Sequence, residues 1–321
     1  MSGALPAVRV EHMIRVTSLT KKYGDFTAVQ EVTFSCRPGR VTGFLGPNGA
    51  GKTTTMRVMV GLTRATAGQV TIGGHHYRDI PNPGRHVGVL LDASAQHDGR
   101  TGREVLTLAA MTMGLPKSRV DEMLELVSLT PSEAKRRIKN YSLGMKQRLG
   151  IAHALIGDPK VLILDEPANG LDPAGIRWMR GLLKEYADRG GTVLLSSHLL
   201  HEVEQIADEL ILIGNGRIVA EGTKDTILAG QSTGGQALVT SLDNEALTVA
   251  LKAKGYSVEP IGTGMRVSAA PAEVGKAALE ANVVLTDLRD GGAGLEDIFL
   301  QLTAETQRES TTQIHAEGVS A

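Results

Sequence analysis

Short apolar runs alternate with helix-like runs along the first two thirds of the chain. Apolar residues with the length or the two-residue alternation of β-strands occur in "MIRVTSL", "AVQEVTFSC", "RVTGFL", "AGQVTIGG", "KVLILDEP", "TVLLSSH", "ELILIG" and "GRIVAEG". Helical spacing appears in "TMRVMVGL" and "LLHEVEQIA", and a helix is expected after Pro173. Strands that alternate with helices predict an α/β fold with a mostly parallel sheet, and the early strands add a β-subdomain.

A helical stretch interrupts this alternation between about residues 98 and 158. Its apolar residues recur with helical spacing in "REVLTLAAMTMGL", "RVDEMLELVSL" and "LGMKQRLGIAHALI". The pattern predicts a helical subdomain inserted into the α/β core.

The pattern changes again after about residue 226. The Gly- and Ser-containing run "AGQSTGGQ" predicts a linker, and short strands and helices follow it, including "ALVTSL", "NEALTVALKAKG", "PAEVGKAALEA" and "VVLTDL". We therefore predict a first domain over residues 1–230, a small C-terminal α+β appendage over 231–305 and a flexible tail over 306–321.

Composition narrows the class of protein. The 321 residues carry a net charge of −1, which argues against binding nucleic acid through bulk positive charge. The single cysteine, Cys36, is interpreted as a small buried hydrophobe in a protein of the reducing cytoplasm. No apolar run approaches the length of a membrane-spanning helix, so we expect any membrane role to come through a partner.

The segment "GPNGAGKT", from Gly46 to Thr53, matches the phosphate-binding pattern G-x-x-x-x-G-K-[ST] between a strand and a helix. Backbone N–H groups of such a loop surround phosphate oxygens, Lys52 reaches the β- and γ-phosphates, and the Thr53 hydroxyl binds Mg²⁺. A chance glycine-rich turn is the alternative, but the flanking strand and helix disfavour it. The predicted nucleotide-binding residues are Gly46, Pro47, Asn48, Gly49, Ala50, Gly51, Lys52, Thr53 and Thr54.

Two adjacent carboxylates end the strand in "VLILDEP". Asp165 is predicted to hold Mg²⁺ directly or through water. Glu166 is predicted to orient and deprotonate a water that faces the γ-phosphate. A helix-capping acid with a solvated neighbour is the alternative, which the upstream phosphate loop weakens.

Two further segments carry polar residues at the ends of elements. His198 ends the strand "TVLLSSH" and could bond the γ-phosphate or the attacking water; a polar strand end is the alternative. His198 and His201 lack a third ligand at suitable spacing, which excludes a zinc site. In "YSLGMKQRLGIA", Ser142 and Gly144 precede a helix and predict a second anion-binding N-terminus, with an ordinary capped helix as the alternative.

Together these segments resemble the nucleotide-binding subunit of ABC transporters over about residues 14–225. "GPNGAGKTT" is similar to that family's Walker A motif, "VLILDEP" to Walker B with its catalytic glutamate, "NGLDP" to the D-loop and "YSLGMKQR" to the signature. His198 resembles the switch histidine, and Tyr23 in "KKYGD" resembles the aromatic that stacks on adenine. The C-terminal appendage, with "LEDIFLQLT", is similar to extensions of drug- and antibiotic-export ATPases.

The resemblance implies an ATPase that uses ATP and Mg²⁺ and forms a homodimer. The subunits of this family meet head to tail, so Ser142 and Gly144 would bind the γ-phosphate held by the partner's phosphate loop. It also implies a separate membrane permease, an exporter role and a cytoplasmic position on the inner face of the cell membrane. Direct nucleic-acid binding is not expected. The basic run "KRRIK" before the signature is interpreted as a solvated helix end or a surface that faces the membrane partner, with a nucleic-acid patch as the alternative.

Two departures from the family pattern concern the signature and the lid loop. Leu143 and Met145 replace the Gly and Gln of the general signature. In "VGVLLD", Asp92 stands where the family has Gln, and it is predicted as a metal ligand. The alternative is that Asp92 caps the helical subdomain or faces solvent, while Gln96 or water serves the metal.

Other classes of phosphate-loop protein fit less well. ABC ATPases that act on chromosomes carry a long coiled coil between Walker A and the signature, and those that act on ribosomes carry two cassettes per chain. This chain has about ninety residues in that interval and a single cassette. A GTPase would carry the guanine-reading motif N-K-x-D, which is absent, and neither a GTPase nor a kinase accounts for the signature.

Overall fold

A computed structural model describes residues 13–231 and 235–290 of the chain. It contains two compact units, the first reaching Lys224 and the second beginning at Asp225. The predicted boundary at residue 230 therefore lies six residues C-terminal to the boundary between the units. The predicted tail 306–321, the segment "LEDIFLQLT" and the end of the predicted appendage lie outside the described residues.

The first unit is built on a six-stranded sheet. The order of its strands is β5-β6-β7-β3-β8-β9, and all neighbours are parallel except β8 and β9. The strands are β3 (Val41–Leu45), β5 (Val87–Leu90), β6 (Val161–Asp165), β7 (Thr192–Ser197), β8 (Glu209–Gly214) and β9 (Arg217–Gly222). The predicted α/β fold with a mostly parallel sheet is confirmed. Strand β5 was not predicted, because its four residues lie in a run interpreted only as the lid loop.

A second sheet of three antiparallel strands forms the β-subdomain. Its strands are β1 (Ile14–Tyr23), β2 (Phe26–Cys36) and β4 (Ala67–Ile72), with β1 in the centre. Both sheets contribute to one apolar core, where the rings of Phe34 and Phe44 lie 5.3 Å apart. Cys36 is fully buried in this core, as its apolar surroundings predicted.

Helices between β5 and β6 form the helical subdomain. They are α2 (Gly102–Thr112), α3 (Ser118–Leu126), α4 (Pro131–Ala134) and α5 (Leu143–Leu155). Thr101 begins α2 with a capping box, in which its hydroxyl accepts from the Glu104 N–H and the Glu104 carboxylate accepts from the Thr101 N–H. The predicted helical interruption is present at the expected place.

The remaining helices of the first unit flank the six-stranded sheet. They are α1 (Lys52–Met59), α6 (Pro173–Asp188) and α7 (Leu200–Glu204). Helix α7 is shorter than the apolar pattern "LLHEVEQIA" predicted, since it ends at Glu204 with Gln205 as its C-cap. A further helix, α8, spans Lys224–Gln231 and therefore includes the start of the predicted linker "AGQSTGGQ".

The second unit carries its own sheet and core. Its elements run β10 (Ala237–Ser241), α9 (Asn244–Ala253), β11 (Val258–Ile261), β12 (Gly264–Val267), α10 (Pro271–Glu280) and β13 (Leu285–Asp290). The antiparallel sheet has the order β11-β12-β10-β13, which is a split β-α-β arrangement. Across both described ranges, no helix has the length and apolar character needed to cross a membrane.

Candidate active site

The glycine-rich loop connects the buried strand β3 to helix α1. Gly51 caps the helix with φ +101°, and a Cβ at this position would lie 2.6 Å from the carbonyl oxygen of Ala28. Only glycine fits there. A residue with a Cβ would be strained in this left-handed conformation, and its Cβ would also collide with the backbone of strand β2. The loop therefore brings the first N–H groups of α1, which lack intrahelical partners, to the end of the parallel sheet.

Lys52 folds back over this loop. Its Nζ donates to the carbonyl oxygens of Gly46, at 2.6 Å, and Pro47, at 3.3 Å, and lies 3.6 Å from Oε1 of Glu166. Burial lowers the pKa of Lys52, and the carboxylates of Glu166 and Asp165 oppose that shift. The ammonium is thus held at the mouth of the loop, where it would meet phosphate oxygens.

Thr53 and Asp165 lie together, although 112 residues separate them. The Thr53 hydroxyl donates to Oδ2 of Asp165 at 2.5 Å, and the Ser196 hydroxyl donates to Oδ1 of the same carboxylate. A hydroxyl and a carboxylate are the oxygen ligands that Mg²⁺ prefers, so this pair fits the predicted metal site. Within the described ranges, no group of three or more His, Cys, Asp or Glu side chains is placed to hold a metal ion.

Glu166 follows Asp165 and turns away from the strand with φ +49°. Its Oε2 lies 2.9 Å from Nδ1 of His198, so the structure brings the predicted base and the predicted switch histidine together. The backbone N–H of Glu166 donates to Ser196 Oγ at 3.0 Å, and its carbonyl oxygen accepts from Gln147 Nε2 at 3.1 Å. The side chain is one quarter exposed, which leaves it open to water and to a ligand over the loop.

The predicted adenine-stacking residue lies at the end of β1. Tyr23 is half exposed, and the ammonium of Lys21 lies 4.6 Å from the centre of its ring. This contact is a cation–π interaction on one face of the ring. The described contacts do not join Tyr23 to the glycine-rich loop, so its stacking role stays a prediction.

Ser142 and Gly144 lie at the N-terminus of α5. Ser142 caps the helix, and its Oγ accepts from the Met145 N–H at 3.2 Å. A Cβ at Gly144 would lie 2.9 Å from the carbonyl oxygen of Gly170, in the loop after β6. In the described part of the chain, the contacts of this helix end are therefore with its own turn and the D-loop segment, not with the glycine-rich loop of the same chain.

The structure gives Asp92 a local partner. Its Oδ1 accepts from the backbone N–H of Ser94 at 2.7 Å and from the Ser94 hydroxyl at 2.6 Å. These bonds, with a smaller contribution from Lys146, lower the pKa of Asp92. The arrangement is the one expected of a loop-capping aspartate, so a metal-binding role for Asp92 stays a prediction. Gln96 lines a groove described below.

Two buried polar residues at this site were not predicted. Ser196 precedes His198 by two residues and contacts both Asp165 and the backbone of Glu166. Gln147 reaches the same segment from α5. The "SS" before the histidine was the available signal for Ser196, whereas nothing in the local pattern indicated that Gln147 points toward β6.

Comparison with protein families and with known proteins gives a consistent result. Residues 29–169 match the family model described as ABC transporter. The chain is 37% identical over 305 residues to the uncharacterized ABC transporter ATP-binding protein YhcH of Bacillus subtilis, covering 92% of this chain and 98% of the relative. It is 42% identical to the bacitracin transport ATP-binding protein BcrA of Bacillus licheniformis over 65% of this chain and 69% of the relative. The linearmycin resistance ATP-binding protein LnrL of Bacillus subtilis is 33% identical, covering 92% and 100%.

Solved structures share the fold over about two thirds of the chain. An ATP-binding subunit of an ABC transporter superposes with a TM-score of 0.63 at 30% identity, covering 68% of this chain and 92% of that one. A dimeric cassette in a post-hydrolysis state, bound to ADP and Pi, has a TM-score of 0.60 at 23% identity, covering 66% and 98%. The second similarity bears on the fold alone.

Proposed function

Since the chain belongs to the family of ABC transporter ATP-binding proteins, we propose that it powers the export of an antibiotic-like compound through a separate membrane permease. It is an ATPase of an exporter-type transport system. The site assignment rests on the side chains that meet at the ends of β3, β6 and β7. Lys52 lies beside Glu166, and Thr53 donates to Asp165. His198 contacts Glu166 from the end of β7. The parallel strands end at one edge of the sheet, as in other open α/β sheets that bind ligands there.

We assign the roles by the position of each side chain. The glycine-rich loop and Lys52 bind the phosphates of ATP, and Glu166 accepts the proton of the attacking water. His198, bonded to Glu166, holds that carboxylate toward the γ-phosphate. Thr53 and Asp165 hold Mg²⁺, which would neutralise charge on the phosphates when bound. The adenine-stacking role of Tyr23 rests instead on its resemblance to the family's aromatic residue, and Lys21 covers one face of its ring.

Two subunits form two composite sites in this proposal. The N-terminus of α5, with Ser142 and Gly144, binds the γ-phosphate held by the glycine-rich loop of the other subunit. The N-terminal end of a helix dipole favours an anion, and the Ser142 cap orients the first turn. ATP then joins the subunits, and hydrolysis separates them.

Export of an antibiotic-like compound rests on the relatives. Three of them are a bacitracin transport protein, a lantibiotic transport protein and a linearmycin resistance protein. YhcH and LnrL also match this chain over nearly their whole length, so the similarity extends beyond the ATP-binding unit. We place the protein at the cytoplasmic face of the membrane, where ATP is available and the permease can hold it.

A groove on the helical subdomain is our candidate for the permease contact. It has a volume of about 280 Å³. Leu108 and Met111 of α2 are 40% and 69% exposed, so this helix presents two large apolar side chains to solvent. Leu108 lines the groove together with Gln96 of the lid loop, so a permease segment bound there would touch the lid. The complete lining is Gln96, His97, Arg100, Val105, Leu108, Ala109, Thr112 and His153.

Charge placed in this groove should uncouple transport from hydrolysis. We expect Leu108→Glu, with the permease co-expressed, to lower drug resistance and permease co-purification about 10-fold or more, since a buried carboxylate would lose its hydration in the interface. The ATPase rate of the isolated subunit should stay within about 2-fold of wild type. Leu62→Glu, at a 61% exposed leucine just after α1, is the matched control. Normal co-purification of Leu108→Glu would assign the permease contact to another surface.

The second unit should be dispensable for forming the ATP site. It has its own core, which includes Val239, Leu251 and Val267, and the residues assigned to ATP all lie before it. A chain that ends at Gln231 should bind ATP with an affinity within about 3-fold of the full chain, measured by calorimetry, and should dimerise less tightly with ATP. Loss of ATP binding in a soluble truncated protein would contradict this assignment.

A further inference from the structure

We propose that Gln147 is a positioning residue for ATP hydrolysis, which holds the backbone of Glu166 from the signature helix and links that helix to the base of its own chain. The proposal rests on the assignment of Glu166 as the base. It gives a role to a buried polar side chain that neither the phosphate loop nor the metal pair uses.

Glu166 needs support because its backbone is unusual. It has φ +49°, a left-handed conformation that costs free energy for any residue with a Cβ. This conformation turns the chain sharply after β6, so that the Glu166 side chain reaches Nδ1 of His198 while Asp165 still faces Thr53. A relaxed backbone at Glu166 would change the direction of the carboxylate relative to both neighbours.

Two side chains from other elements hold this turn on either side. Ser196 of β7 accepts the Glu166 N–H, and Gln147 of α5 donates to the Glu166 carbonyl oxygen. Both are buried, Ser196 completely and Gln147 to 3% exposure, so water cannot easily replace either bond. Ser196 also contacts Asp165, and its replacement would disturb the metal pair as well. Gln147 reaches the backbone of the base, and its replacement is therefore the cleaner test.

The position of Gln147 on α5 adds a second consequence. It lies about one turn from Ser142 and Gly144, the residues assigned to the partner's ATP. The next residue, Arg148, packs its guanidinium 4.7 Å from the centre of the Trp178 ring and donates to the carbonyl oxygen of Val127 at 3.0 Å. Helix α5 thus contacts the backbone of the base through Gln147, and the neighbouring Arg148 attaches the helix to the rest of the unit. A shift of its N-terminus on binding the partner's ATP would act on Glu166 through Gln147.

The test compares Gln147→Met and Gln147→Glu with wild type in the full-length protein. Met keeps the length of the side chain and removes the donor, and Glu keeps the shape but offers an acceptor to a carbonyl oxygen. We expect kcat to fall about 10- to 100-fold with the KM for ATP within about 3-fold, because a misplaced base slows the chemical step and leaves phosphate binding intact. Slow hydrolysis should also increase the ATP-bound dimer on size-exclusion chromatography, because the nucleotide that joins the subunits is removed more slowly.

Arg119→Met provides the structural control. Arg119 donates through Nε and Nη2 to the carbonyl oxygens of Ile156 and Leu155, at the opposite end of α5. We expect this variant to lower the melting temperature without changing kcat or the ATP-bound dimer. A kcat of Gln147→Met equal to wild type, or a fall in kcat accompanied by loss of the ATP-bound dimer, would overturn the proposal.

Glu166→Gln in the same assays separates the assignment of Glu166 as the base from the assignment of Gln147 as its positioning residue. If Glu166→Gln is slow and Gln147→Met is normal, the positioning role fails and the base assignment stands. If Glu166→Gln hydrolyses ATP at the wild-type rate, both assignments fail together.

Discussion

Glu166→Gln is expected to lower the rate of ATP hydrolysis by about 10²- to 10⁴-fold, the contribution that a general base makes in other enzymes. Gln has nearly the shape of Glu but cannot accept a proton from water. The backbone contacts from Ser196 and Gln147 involve main-chain atoms of residue 166, so the substitution leaves them in place. Loss of the carboxylate also removes the partner of Lys52 at 3.6 Å, which frees that ammonium for phosphate.

Binding and dimerisation should persist in this variant, and that separates a catalytic defect from a folding defect. We expect ATP affinity within about 3-fold of wild type and accumulation of an ATP-bound dimer, because the nucleotide that joins the subunits is no longer removed. Phosphate release gives the rate, and size-exclusion chromatography with and without ATP gives the dimer. Glu125→Gln, at an exposed carboxylate on α3, is the matched control. A variant that hydrolyses ATP at the wild-type rate would remove Glu166 from the role of base.

The pairing of distant site residues could be predicted because it follows from sheet topology. Strand β6 pairs with β7, and β7 with β3, all in parallel, so the residues after each strand meet at one edge. Thr53, Asp165 and His198 follow or end these three strands. Each motif could be recognised in the chain, and the parallel order of the strands brought them together.

Contacts that depend on tertiary packing could not be predicted. The hydrogen bond from Gln147 to Glu166 requires the packing of α5 against the end of β6, and local periodicity carries no information about it. Asp92 stands where the family pattern has a Gln, which predicts a metal ligand, whereas its carboxylate accepts hydrogen bonds from Ser94 two residues later. Such short side-chain-to-backbone bonds compete with ligand roles and depend on the turn that the chain adopts.

If the subunits meet head to tail, a dimer of two differently inactivated subunits should keep one active ATP site. Lys52→Ala removes the ammonium that meets the phosphates, and Ser142→Arg places bulk and charge at the helix end assigned to the partner's γ-phosphate. Each variant alone should lose ATPase activity by about 100-fold or more, because both composite sites of its homodimer carry the lesion. In a hybrid dimer, one site combines the intact loop of the Ser142→Arg subunit with the intact signature of the Lys52→Ala subunit. The other site carries both lesions.

Two nearly inactive proteins should therefore recover activity when they are mixed. With random exchange at a 1:1 ratio and independent sites, about a quarter of the sites are intact, and the rate should approach about a quarter of wild type. The matched control mixes Ser142→Arg with the double variant Lys52→Ala/Ser142→Arg, which has no intact composite site and should stay inactive. If each chain instead used its own signature, every subunit in the first mixture would remain defective and no activity would return. The two mixtures differ only at residue 142 of the subunit that carries Lys52→Ala. Recovery in the first mixture and not in the second would therefore show that the intact Lys52 of one subunit works with the intact Ser142 of the other, and not with residue 142 of its own chain.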